Sequence, residues 1–169
     1  MCDNDTGPRP PSLHPAGTEA DQAEHTLIVF KPDAVQRGLV STLMGRFESV
    51  GLDLLIAARR TVAPDFVLRH HDGLLATYGR VITEAVIAYM TSGPLIATIW
   101  EGLDATAAGR RLIGPTFPAQ ARPGTIRGDY AHFRADDVRR TGVLPGNLVH
   151  GSRTVGDAKR EIELWFGES

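Results

Sequence analysis

A chain of 169 residues with 42% hydrophobic and 22% charged side chains is long enough to bury a substantial core as one soluble globular domain. A net charge of −2 argues against a generalised nucleic-acid-binding surface, and a single cysteine, Cys2, excludes an intrachain disulfide or a cysteine zinc cluster. No apolar run approaches the roughly 20 residues of a membrane span, and the sparse cysteine suits a reducing cytoplasm.

Residues 1–24 are rich in Pro, Gly, Asp and Glu, with Pro8, Pro10, Pro11 and Pro15 close together. They read as a flexible leader ahead of a single domain, 25–169. Asp3 and Asp5, with no hydrophobic stretch behind them, argue against a secretory signal. Thr26-Leu27-Ile28-Val29-Phe30 is a short apolar strand stopped by Lys31-Pro32-Asp33. Leu39, Val40, Leu43, Met44, Phe47 and Val50 then recur at helical spacing, and Gly51 ends that helix.

Leu52 to Val62 is a second strand, closed by Pro64. Asp65 caps a helix through about His71, and another helix runs from Val81 to Met90. Ser92-Gly93-Pro94 turns the chain into a third strand, Leu95–Trp100. Asp104 opens a helix that Gly114-Pro115 ends after Ile113. Pro115–Gly124 is a punctuated loop, Thr125–Phe133 is extended or irregular, and Arg134–Gly146 is a polar loop. Leu148–His150 forms a brief final strand, Gly151 turns, and a helix follows from Thr154. Its apolar face carries Val155, Ala158, Ile162, Trp165 and Phe166. The order β-α-β-(α-α)-β-α-β-α predicts an α+β sandwich with a small, largely antiparallel sheet and helices on one face.

The chemistry concentrates at the end of the chain. His150 stands at a strand end, and Glu161 borders the buried face of the next helix, three residues after Ala158. A strand-end imidazole oriented by a half-buried carboxylate is one way to build a nucleophilic histidine, although a lone histidine there is more often structural. Partners decide between the two. No G-x-x-x-x-G-K-[ST] and no G-x-G-x-x-G occurs, so phosphate would have to be held by cations instead of a backbone cradle. Lys31, Arg110 and Arg127 are the candidates. Only Lys31 and Lys159 of 18 basic residues are lysines, which hints that position 31 needs a compact ammonium.

Five segments, in order, resemble the nucleoside diphosphate kinase family: Lys31-Pro32-Asp33-Ala34-Val35-Gln36-Arg37-Gly38-Leu39, Ser92-Gly93-Pro94, Trp100-Glu101-Gly102-Leu103, Pro123-Gly124-Thr125-Ile126-Arg127-Gly128-Asp129, and Asn147-x-x-His150-Gly151-Ser152. They cover the chain from about Thr26 to Phe166. The resemblance implies a ferredoxin-like βαββαβ sandwich with a four-stranded, largely antiparallel sheet and added helices. It also implies ping-pong transfer of a terminal phosphate between nucleoside tri- and diphosphates. His150 would be phosphorylated, with Glu161 and Ser152 orienting it. Lys31, Arg110, Thr116, Arg127 and Asn147 would hold phosphates or sugar hydroxyls. Mg²⁺ would ride on the nucleotide without a direct protein ligand. A cytoplasmic homo-oligomer, tetramer or hexamer, would be expected. Binding without efficient transfer, and a protein phosphocarrier role, are the other functions such a chain could serve.

Four departures from the family pattern stand out. Arg153 replaces an aspartate after His-Gly-Ser. His71 takes the place of a tyrosine near the phosphates, and Ile82 that of a phenylalanine stacking on the base, which predicts weaker nucleotide binding with unchanged chemistry. Arg134–Gly146 is longer than usual, and the chain stops soon after Trp165-Phe166, where many members carry a tail that joins subunits.

Overall fold

The computed structural model describes residues 23–167. The leader expected over residues 1–24 lies outside them, save that the first strand already includes Glu24. Four strands, β1 (Glu24–Phe30), β2 (Asp53–Arg60), β3 (Leu95–Gly102) and β4 (Val149–Gly151), form one sheet in the order β2-β3-β1-β4. Every pairing is antiparallel. This is the four-stranded ferredoxin-like α+β arrangement.

Helices cover both faces of the sheet, not one. The reason is legible in β1, where Leu27, Ile28, Val29 and Phe30 are all fully buried, so neither face can meet water. Ile28 and Phe30 join Leu43 and Phe47 of α2 (Val40–Glu48) and Ala105, Ala108 and Ile113 of α5 (Ala105–Ile113). Leu27 and Val29 pack on the other side against Val67 of α3 (Pro64–His70), Met90 of α4 (Leu74–Met90) and Trp165 of α8 (Val155–Phe166). Each fully buried side chain of this size contributes roughly 1.5–3 kcal/mol.

Several local expectations change. Lys31-Pro32-Asp33 does not simply stop the strand: Pro32 occupies the first turn of a short helix, α1 (Pro32–Gln36), where its missing N–H costs nothing. Pro64 likewise starts α3, and Asp65 sits in its first turn without capping it. Strand β2 is shorter than Leu52–Val62 and slips register between Leu54 and Ile56. Helix α4 begins at Leu74 instead of Val81, bent at Gly79, whose φ of 76° only glycine adopts freely. Thr125–Phe133, expected to be extended or irregular, is helical over α6 (Ile126–Tyr130), which Thr125 caps by accepting from the Gly128 N–H. The polar loop expected over Arg134–Gly146 contains α7 (Ala135–Thr141). The carboxylate of Asp137 caps its start by accepting from the Arg134 N–H, and Val138 anchors it against Ile82, Ala85 and Phe133. Its charged flank, Asp136, Asp137, Arg139 and Arg140, hid that single apolar anchor.

Candidate active site

Three crossings of the chain meet at the tip of β1 and β4. Val29 pairs with His150 across the sheet, and the Lys31 N–H donates to the Leu148 carbonyl at 2.8 Å. Leu148 holds a φ of 67°, a left-handed conformation unusual for a non-glycine residue, and the Val149 N–H turns back to the Asn147 carbonyl at 2.8 Å. The Asp33 carboxylate stabilises this turn, accepting from the Leu148 N–H at 3.3 Å and from the Tyr89 hydroxyl. Gly146 has φ 111°, and a Cβ there would overlap the Asp33 carboxylate, so only glycine fits.

The turn aims Asn147 and His150 into one cleft. His150 Nε2 lies 2.9 Å from Glu161 Oε2, and the Ser152 hydroxyl donates to the same oxygen at 2.7 Å. Glu161 is buried at 3% exposure, deeper than the border position its spacing suggested. Because Nε2 faces the carboxylate, Nδ1 is the nitrogen left for the cleft. Burial holds the imidazole below its ordinary 6.5, against the opposing pull of Glu161. His150 is therefore mainly neutral at pH 7.

Lys31 is buried beside Tyr89 and donates from Nζ to Asn147 Oδ1 at 2.8 Å. Burial, reinforced by Arg127, brings its pKa down to about 7. Arg127 is a clamp, donating to the carbonyls of Asn147 (3.2 Å), Gly114 (2.9 Å) and Val149 (2.6 Å). Burial and the nearby Arg110 lower its pKa to about 10, so it stays charged. Asn147 Nδ2 donates to the Thr116 carbonyl at 3.0 Å, tying the loop after α5 to the same place. Arg110 has no ion-pair partner among the described residues.

All the expected site residues except Ser152 line this single cleft: Lys31, His71, Ile82, Arg110, Thr116, Arg127, Asn147, His150 and Glu161. Ser152 stands fully buried behind Glu161. Ile82, with Phe117, Phe133, Val138 and Leu144, makes one end apolar. The other end is cationic. Such a cleft accepts an elongated ligand, flat and apolar at one end and polyanionic at the other.

Sequence reasoning missed Asp33, Tyr89 and Arg160. Asp33 was visible in Lys-Pro-Asp, but its partner Tyr89 is 56 residues away. Arg160 lines the cleft and approaches Glu161 Oε1 at 3.6 Å. Arg153 pairs with Asp157, in the first turn of α8, at 3.2 Å.

The carboxylates in the lining are few. Glu161 is engaged by His150 and Ser152, and Asp72 sits at the exposed rim. Nothing in this lining resembles the oxygen-rich cage a hard divalent cation requires, whereas its cations suit a polyanion.

A family model described as "Nucleoside diphosphate kinase" matches residues 24–169. The chain is 43% identical over 145 residues to nucleoside diphosphate kinase B of Flaveria bidentis, covering 86% of this chain and 89% of that one. Among solved structures it is similar to a nucleoside-diphosphate kinase from Borrelia burgdorferi, a transition-state mimic with bound vanadate and ADP. The TM-score is 0.80 at 32% identity, over 85% of this chain and 87% of that one. It also resembles a halophilic nucleoside diphosphate kinase from Halobacterium salinarum in complex with CDP, with TM-score 0.74 at 34% identity, over 87% and 90% of the two chains.

Proposed function

The chain belongs to the nucleoside diphosphate kinase family and is a nucleoside-diphosphate kinase, and from that premise we propose that it works by ping-pong transfer through Nδ1 of His150. The observation that carries this reading is the 2.9 Å contact between His150 Nε2 and Glu161, which directs the opposite ring nitrogen into the cleft. In the first half-reaction the Nδ1 lone pair attacks the terminal phosphorus of a nucleoside triphosphate. A P–N bond forms, the bridging P–O bond breaks, and the nucleoside diphosphate leaves. In the second, a terminal oxygen of another diphosphate attacks the phosphohistidine, and the P–N electron pair returns to the imidazole.

Each neighbour has a physical part. Glu161, fixed by Ser152, holds the His150 proton on Nε2 and stabilises the positive charge that the ring gains as Nδ1 attacks. Lys31, Arg110 and Arg127 face the equatorial oxygens, over which a loose phosphoryl-transfer transition state spreads its charge. Thr116 and Asn147 supply neutral donors for phosphate or sugar hydroxyls. His71 stands beside the phosphoryl group, and Ile82 contacts the base. Mg²⁺, carried by the nucleotide phosphates, supplies further charge neutralisation. The vanadate and ADP held by the Borrelia relative, and the CDP held by the Halobacterium one, support nucleotides as the ligands of this cleft.

A homo-oligomer belongs to the same reading. Edge strand β2 exposes Leu54, Leu55 and Ile56 at 38–48%, an apolar edge of the kind that a second copy covers. A cytoplasmic setting suits the single cysteine, and no described helix is long and apolar enough to cross a membrane.

The test is a phosphoryl chase. Purified protein, Mg²⁺ and γ-labelled ATP should give acid-labile label that moves onto added nucleoside diphosphates, with none on His150→Ala. Acid-labile label of wild-type yield on the His150→Ala protein would overturn the assignment.

A further inference from the structure

His150 does not stand alone in the cleft. His70 packs edge-on against it with ring centroids 4.3 Å apart, and His71 lies 5.7 Å from it. Consecutive residues of a continuing helix point about 100° apart. His71, however, falls just outside α3 at φ −100°, ψ 60°, which brings its ring within 4.5 Å of the His70 ring. The three imidazoles offer one ring nitrogen apiece, all within 4.8 Å of one another. His70 is 2% exposed, and its Nε2 and that of His71 are both buried without a hydrogen-bond partner. Orphaned buried nitrogens are uncommon in a native interior and need an explanation.

We propose that His70, His71 and His150 form a site for one late transition-metal ion, with Zn²⁺ as its probe, and that its occupation silences the enzyme. Ligand atoms around a tetrahedral Zn²⁺ at 2.0–2.1 Å lie roughly 3.3 Å apart, so the cluster closes onto an ion by ring rotations of about an ångström. The His150–Glu161 contact is the carboxylate–histidine support that metal-binding imidazoles commonly have. Burial keeps all three rings below their ordinary 6.5, hence neutral, although His70 must first move its proton off Nε2. The facing charges are Lys31, Arg127, Arg153 and Arg160 on the cationic side, with Glu161 and, at the rim, Asp72 on the other. Those cations oppose any divalent ion, and the three imidazole donors then select Zn²⁺ or Co²⁺ over Mg²⁺.

His70 is the most costly of the three ligands. The Trp165 indole N–H donates to its Nδ1 at 3.1 Å, which places the ring proton on Nε2. Ligation through Nε2 requires the other tautomer and forfeits the indole bond, so metal binding must change the environment of Trp165. Occupation also consumes the His150 lone pair that attacks phosphorus. This silencing rests on His150 as the phosphoryl carrier, whereas binding does not.

The experiment uses the full chain without nucleotide, titrated with Zn²⁺ by calorimetry and with Co²⁺ by its visible d–d bands. The expected result is one ion in the cluster, tetrahedral-type Co²⁺ bands and altered Trp165 fluorescence with Zn²⁺, with no response to Mg²⁺. A His70→Phe/His71→Phe variant, checked for folding by circular dichroism, should bind on the order of 100-fold more weakly. Should it not fold, His71→Tyr decides, with at least about a tenfold loss expected. Wild-type affinity in the variant that decides overturns the site. Zn²⁺-loaded wild type should take no label from γ-labelled ATP until a chelator is added, and undiminished labelling overturns the silencing. Absence of label in the metal-free protein as well would count against His150 as carrier while leaving the metal site standing.

Discussion

Replacing Glu161 with glutamine isolates charge from shape. The amide keeps an oxygen for His150 Nε2 and for the Ser152 hydroxyl, which now sit 2.9 and 2.7 Å from Oε2, but removes the carboxylate's negative charge. A full positive charge on the ring, roughly 4 Å from that carboxylate, would interact by about 4 kcal/mol at an effective dielectric of 20. With about half a charge developed in the transition state, the loss is about 2 kcal/mol, or roughly 30-fold in rate. Ser152→Ala leaves the charge and removes one hydrogen bond, about 1 kcal/mol or roughly fivefold. Quench-flow measurement of His150 labelling from γ-labelled ATP reads both numbers. Glu161 also opposes the burial that lowers the His150 pKa, so E161Q should move the acidic limb of the pH–rate profile to still lower pH. Labelling by E161Q within threefold of wild type, or slower labelling by S152A than by E161Q, would refute this account of Glu161.

Four further outcomes are expected. The pH profile of kcat/KM should be bell-shaped in initial-rate assays: activity rises as His150 loses its proton below 6.5 and falls as Lys31 loses its own near 7. A bound polyphosphate raises the Lys31 value, so the basic limb of kcat should lie at higher pH. Gly146→Ala forces a methyl group onto the Asp33 carboxylate at a positive φ, and should cost about 1–3 kcal/mol in urea denaturation together with most of the activity. Val138→Ala opens the apolar end of the cleft without touching the phosphoryl centre. It should raise nucleotide KM by about tenfold or less at unchanged saturating labelling rate, measured by single-turnover assay. Ile56→Lys, on the exposed edge of β2, should shift the assembly to smaller species in sedimentation velocity while leaving the far-ultraviolet spectrum intact.

How far the sequence was readable depended on the range of the forces involved. Strand β1 and helices α2 and α8 followed from periodicity, because hydrophobic burial acts residue by residue along them. Glu161 was found from its spacing on α8, since its partner His150 is only 11 residues away. The second covered face was present in the unbroken Leu27–Phe30 run, which alternation templates treat as a strand without saying that both sides are buried. Other features had no local signal. Tyr89 reaches Asp33 across 56 residues, and the left-handed Leu148 is held by carboxylate and backbone contacts that no propensity encodes. Helix α7 was hidden by its charged composition, because one anchor, Val138, holds it to α4. The histidine cluster also needed coordinates: adjacent His70 and His71 suggest divergent side chains until the backbone turns at residue 71.

The contact between Lys31 and Asn147 spans 116 residues, and β4, only three residues long, lies at the sheet edge against β1. A constraint on the ribosome follows from this: the site cannot be complete before its last-made residues exist. Strands β1, β2 and β3, with α2 and α5, can condense around Phe30, Phe47 and Trp100 while the nucleophile is still unsynthesised. A nascent chain condensed that far would hold a half-built cleft in which Lys31 lacks Asn147. The site needs β4 and α8 docked to hold His150, Glu161 and Asn147, so chemistry can begin only after that segment has emerged and folded. Amide protons of β4 should accordingly exchange faster than those of β1, and premature termination before α8 yields an inert protein instead of a leaky enzyme.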